Sequence, residues 1–416
     1  MHGDRKWILA CAGPLALLAG GVLGAWAPAD GASSNAGFLY GEVTTRSGKE
    51  YRGFLRWGTE ESFWDDLFHS SKAELPYLDD LPEGERERSR RRSIRIFGHE
   101  ISNEEGRGSR IFVCRFGDIA EIEVLHDERA VVHLKSKAAI EVHGYSNDVS
   151  GPVQVDDAEA GKITVEWDRI ERIRFSAPPA AADPDVTRLY GSVETRAGVF
   201  EGFVQWDKQE CTSADILNGE SEDGKMEIPM GRIRSIERQS RRSSRVELSD
   251  GRVLRLEGTN DVNDENRGIM VEDRRFGRVT IPWEVFDKVT FSTAKGSGRG
   301  YGEYPALGPL EGSVTGKDGD KHQGRIVFDT DEEAGWEMLN GSNRDVDYDI
   351  PFALVASIER LDAGECRVAL RSGEQVVLED SQDVTDKNAG ILVFTGGDKS
   401  RTYLSWSDVS RLDFNR

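Results

Sequence analysis

Cysteine is scarce. The 416-residue chain has four, and Cys11 lies inside an apolar leader. The other three, Cys114, Cys211 and Cys366, are far apart and show no C-x-x-C spacing. An odd, scattered set excludes a dense disulfide framework and a cysteine-ligated zinc site. Positive charge is also in deficit. Lys and Arg total 54 against 75 Asp and Glu, a formal net charge of −21. Phosphate affinity comes mainly from cations that release counterions, so this balance argues against a nucleic-acid partner. Methionine is rare, at 5, while glycine reaches 45. That composition favours turns and strands over helices.

Long apolar runs are missing with one exception, Trp7–Ala27. A charged head precedes it, and Ala27-Pro28-Ala29 follows as a small-residue exit. This order predicts a secretory signal peptide over residues 1–29. Residues 7–27 are also just long enough to span a bilayer, which leaves an uncleaved anchor as the alternative. Either way the expected location is exported, periplasmic or extracellular, with membrane contact only through this segment.

What the chain does have is internal repetition. YGEVTTRSGKEYRGFLRW from Tyr40, YGSVETRAGVFEGFVQWD from Tyr190 and LEGSVTGKDGDKHQGRIVFD from Leu310 share one pattern. A second unit follows each, opening at Val132, Val246 and Val368, and Trp167, Trp283 and Trp406 fall on the same beat. Such self-similarity predicts three tandem segments, 38–176, 188–292 and 309–414. The linkers between them are 177–187, rich in Pro and Ala, and the Gly-rich 293–308, which reads as flexible. The first segment carries an insertion at about 70–109. Its ERERSRRRS run (Glu85–Ser93) reads as a solvated loop, or as a docking point for an anionic surface polymer.

Apolar residues alternate with period two throughout, between Ser-Gly, Asp-Gly and Ala-Gly turns, which predicts strands. Ser62–Phe68, Ser213–Gly219 and Gly335–Gly341 predict short helical turns. The expected fold is all-β: three tandem repeats, each a pair of small five-stranded barrel-like units. The first unit of each pair resembles Sm-like small β-barrels. The resemblance rests on G-x-V-x-T-x-x-G-x-x-x-x-G at Gly41–Gly53, a one-residue-shorter version at Gly191–Gly202, and I-x-S-I-E at Ile233–Glu237. It covers about fifty residues per unit and implies the fold alone.

The best candidate chemistry is a recurring Asn/Gln-Asp-Val element holding Asp148, Asp261 and Asp383. A turn carboxylate that accepts backbone N–H groups explains its recurrence. Calcium held by the same oxygens is the alternative, and no other cofactor is expected. His133 and His143 share one strand-face parity but align with Glu247 and Glu257 in the second segment, the mark of an exposed polar face. Trp64 and Trp336, beside acids, are candidates for a binding surface. No G-x-S-x-G, H-E-x-x-H or phosphate-cradling glycine loop occurs. The reading is therefore an exported, non-catalytic binding or scaffold protein, with an envelope protein or surface polymer as partner. The alternatives are an envelope-associated hydrolase with its site near the insertion, and a calcium-stabilised surface module.

Overall fold

Alternation is realised as strand pairing. The computed structural model describes residues 35–415 apart from 59, 92–93, 97–98, 102–109, 145–147 and 398, and no side chain of 88–110. The expected signal peptide or anchor lies outside the described residues. Those residues hold 32 strands, one short α-helix and eight 3-10 turns, so the fold is all-β. Among them no helix is long and apolar enough to cross a membrane.

One strand order describes the residues from Tyr190 to Phe291. It runs Gly277–Ile281, Ile269–Asp273, Gly198–Gln205, Tyr190–Thr195, Phe286–Phe291, Ile233–Arg238, Ser243–Leu248, Val253–Glu257, Ile216–Ser221, Gly224–Pro229, all antiparallel. The same order runs from Tyr40 to Phe175 and from Glu311 to Phe414. This refines the expected paired units. Strand Tyr190–Thr195 pairs with Phe286–Phe291 at the far end of its segment, and Gly198–Gln205 pairs with Ile269–Asp273. The two halves of each segment therefore exchange strands and share one sheet.

The recurring glycines mark where neighbouring strands crowd. A Cβ on Gly202 would lie 2.0 Å from the Glu272 carbonyl oxygen, and one on Gly191 2.5 Å from that of Thr290. Gly53 and Gly324 meet the carbonyls of Asp156 and Phe394 in the same way. Only glycine fits such an approach.

Strands also cross a segment boundary. Gly277–Ile281 pairs with Val346–Pro351, with Val279 opposite Tyr348. The second and third segments thereby share one sheet and one hydrophobic core. The first segment has its own core, completed by Tyr304, Ala334 and Trp336 from later in the chain. Trp167, Trp283 and Trp406 are buried in these cores, as their alternation requires.

Several expectations need correction. The three predicted helical turns are tight turns running into the strands Leu67–Lys72, Ile216–Ser221 and Met338–Asn343. Seven residues are too few for a helical period to be told from a turn. The linker 293–308 does not read as flexible here: the Tyr304 ring fills the space over Gly117, and the Tyr301 hydroxyl donates to the Ile119 carbonyl at 2.9 Å. Aromatic burial outweighs the glycine content. The insertion is not wholly a solvated loop either. Its start is strand, residues Glu83–Arg91 are helical, and Leu81 is buried against Val327, Leu392 and Phe394.

Trp64 and Trp336 do not present a surface: they are 0% and 3% exposed. Trp64 packs on Phe175 and Tyr301, and Trp336 on Phe112, so each is covered by chain far away in sequence. Removing a buried Trp typically costs about 3–5 kcal/mol. Trp336→Ala should therefore destabilise the protein to the same degree as Trp283→Ala in urea unfolding; a near-neutral Trp336→Ala would restore the surface reading.

Candidate functional site

Each of the three tight turns closes on one carboxylate. The Asp66 Oδ2 accepts the backbone N–H groups of Ser62 and Phe63 at 2.8 and 2.9 Å. The Asp215 Oδ2 accepts those of Cys211 and Thr212 at 2.9 and 2.8 Å. The Glu337 Oε2 accepts those of Glu333 and Ala334 at 2.6 and 2.9 Å. An acid three or four residues past a turning N–H is the usual geometry for such a cap.

The second oxygen of each carboxylate reaches another segment. Arg278 donates to Asp66 Oδ1 at 2.9 Å, Arg56 to Asp215 Oδ1 at 2.9 Å, and Lys72 to Glu337 Oε1 at 2.5 Å. Around the first of these pairs a larger network forms. Arg188 donates to both oxygens of Asp65, at 2.9 and 2.5 Å, with its guanidinium 4.0 Å from the ring centres of both Phe63 and Phe203. Glu272 accepts from Arg115 at 2.6 Å and from Arg278 at 3.3 Å. Three guanidinium groups thus face three carboxylates in a buried seam between the first and second segments. A small cleft opens along it, lined among others by Phe63, Arg188, Phe203, Glu272 and Arg278. Burial opposes the charge on Arg278, but Asp66 and Glu272 outweigh it and raise its pKa. Burial likewise opposes the Asp65 carboxylate, and Arg188 holds it below its usual range.

The Asp turns lie at a second recurring place. The Asp148 Oδ2 accepts the His69 N–H at 2.6 Å, Asp261 Oδ2 that of Asn218 at 2.5 Å, and Asp383 Oδ2 that of Asn340 at 2.7 Å. Each ties its turn to the strand after the tight turn. The carbonyls of Asp148 and Asp261 accept the indole N–H of Trp57 and Trp206 at 2.8 and 2.9 Å.

Beside two of these turns, carboxylates gather. One group is Asp207, Glu210 and Asp261, the other Asp329, Asp331 and Glu332, with ligand atoms within 4.8 Å of one another in each. Sequence reasoning singled out Asp261 but missed the other five acids. Their signal was present as W-D-x-x-E at Trp206–Glu210 and F-D-x-x-E at Phe328–Glu332. In the first segment glycine stands at position 58, where the others have Asp207 and Asp329. Burial, with Asp261 and Asp207 nearby, pushes the Glu210 carboxyl up to about 8. Burial raises Glu61 and Glu332 well above the carboxylate range too.

The histidines do not converge. His133 Nε2 lies 3.7 Å from Glu123 at the surface, and the His143 carbonyl accepts the Ser70 hydroxyl at 3.1 Å. Neither lines the cleft on the seam. Cys114, Cys211 and Cys366 are free thiols, all buried.

Comparison with known proteins adds little. No family model matches the chain, and no curated protein matches it. One solved structure, titled "Streptogramin B lyase structure", is similar at 12% identity over 72% of this chain and 94% of its own, with a TM-score of 0.11. A likeness that slight carries no argument about fold or function.

Two predictions follow from the charges. Removing one partner of a buried ion pair typically costs about 3–5 kcal/mol, because the other charge stays buried. Arg278→Ala should show that loss in chemical denaturation. Adding Asp66→Asn should recover part of it, since the amide is neutral and its oxygen still closes the turn; a second, additive loss would disprove the pairing.

The other concerns Asp118. Burial pushes its carboxyl up to about 6, against the pull of Arg115, Arg299 and Lys135. A raised carboxyl pKa means the fold binds this proton more tightly than the unfolded chain does. Its stabilisation is therefore complete below the ordinary value near 4 and is lost as pH rises through about 6. Measured against Asp118→Asn, wild-type stability should fall by about 1–3 kcal/mol across that window. Parallel pH profiles would refute the assignment.

Proposed function

We propose that the chain is an exported, non-catalytic binding or scaffold protein of the cell envelope. The observation that carries this reading is the seam. In each segment the carboxylate that closes the tight turn also binds a cation from another segment. Two of these pairs, Arg278–Asp66 and Lys72–Glu337, are buried, and fixed pairs of that kind serve to specify one arrangement of the parts. A fixed frame with dissimilar outer loops is how repeated modules present an extended surface to a partner. The charged head, apolar run and Ala-Pro-Ala exit at the N-terminus support export. The acidic balance, at −21, favours a protein or a polymer with basic groups over nucleic acid.

The test is affinity capture from envelope extract with wild-type protein and Arg278→Ala in parallel. The scaffold reading expects a defined protein or polymer, retained at physiological salt by wild type and released when the frame is loosened. Turnover of an ester, glycoside or peptide substrate by the purified protein, with no such partner, would replace it with the hydrolase reading.

A further inference from the structure

The second segment holds three acids where its chain supplies little positive charge. Asp207, Glu210 and Asp261 are 0%, 8% and 3% exposed. Their oxygens lie within 4.8 Å of one another. Three ionised carboxylates so close repel strongly unless a cation or a proton intervenes.

Two cations of this chain lie near the group: Arg267, whose Nη2 is 3.1 Å from the Asp207 Oδ2, and Arg56, which feels the Glu210 carboxylate but is bonded to Asp215 and the Gln209 carbonyl. Arg267 is shared with Glu60, at 3.4 Å. Asp207 also accepts from the Arg267 backbone N–H and the Asn260 amide, and Asp261 from Asn218. Glu210 differs. Its Oε2 is buried and has no hydrogen-bond partner, and a carboxylate oxygen of Glu210 lies within 4.8 Å of the other two acids. An unmet buried acceptor costs free energy and calls for an explanation.

The third segment shows how such a cluster can be answered. There Lys72, brought in by the first segment, places its Nζ 3.8 Å from Asp331 Oδ2 and 2.5 Å from Glu337 Oε1. An ammonium group thus sits beside the cluster of Asp329, Asp331 and Glu332, although the Glu332 Oε2, like that of Glu210, has no hydrogen-bond partner. The second segment has no matching lysine among its described ion pairs.

We propose that Asp207, Glu210 and Asp261 form a divalent-cation site. All three donors are carboxylate oxygens, which selects a hard ion, and calcium tolerates the irregular geometry that a strand-end loop provides better than magnesium does. Glu210 is the residue the ion completes, since its free oxygen gains a partner. Asp261 then has two tasks, capping Asn218 and ligating. The structural reading of the Asp turn and the metal reading are compatible at this one turn. The proposal stands apart from the scaffold reading and survives if that reading fails.

The test uses chelator-treated, purified protein, titrated with calcium chloride through the roughly 10⁻⁴ to 10⁻³ M range of extracellular calcium modules. Calorimetry should show saturable binding, and the melting temperature should rise with calcium. Glu210→Gln keeps the side-chain size and removes the charge. It should fold, bind calcium about tenfold more weakly or worse, and lose the melting shift. Magnesium chloride should give a smaller shift. An unchanged melting temperature in wild type, with Glu210→Gln more stable than wild type, would mean that a proton holds the cluster together and would overturn the proposal. An equal calcium shift in wild type and Glu210→Gln would place the binding elsewhere and overturn it as well.

Discussion

The structure depends on a carboxylate with two oxygens and two obligations. One oxygen of Asp66, Asp215 or Glu337 closes its own turn, and the other meets a cation from a different segment. Local geometry and long-range assembly are coupled through one side chain. A turn that opens releases the partner segment, and a partner that leaves exposes a turn with unmet N–H groups. This coupling ties the three segments into one compact unit. The alternation of apolar residues builds the sheets, but the charges decide how the sheets sit together.

The strand exchange within each segment adds a second constraint. Because Tyr190–Thr195 pairs with Phe286–Phe291, neither half of a segment can satisfy its backbone alone. The close approaches at Gly191 and Gly202 sit on these exchanged strands. Every L-residue with a side chain would force the strands apart there, which is why the sequence repeats glycine at these beats in all three segments.

Much of this was legible in the chain. Period-two alternation marked the strands, and the recurring tryptophans marked the core. The Asp turn was legible as a cap because a short acid beside a bend has few other uses. What was not legible has one physical cause. Arg278 and Asp66 are 212 residues apart, and Lys72 and Glu337 are 265 apart. No local pattern joins them, so each read as one more surface charge in an acidic chain. Trp64 and Trp336 misled for the same reason, since the chain that covers them is distant. The cluster at Glu210 was missed differently. Its W-D-x-x-E motif was visible, but its acids meet Asp261 only once the sheet has formed.

The core of the first segment has a consequence for biosynthesis. Tyr304, Ala334 and Trp336 belong to that core, although more than a hundred residues separate them from Phe175, the end of the segment's last strand. A ribosome emits the chain from the N-terminus, so the first segment emerges with part of its interior still unmade. It cannot close until the start of the third segment has appeared. Order of synthesis and order of completion are therefore inverted: the first part made is among the last to be finished. A nascent chain in that condition keeps apolar surface of its first segment uncovered for most of its translation.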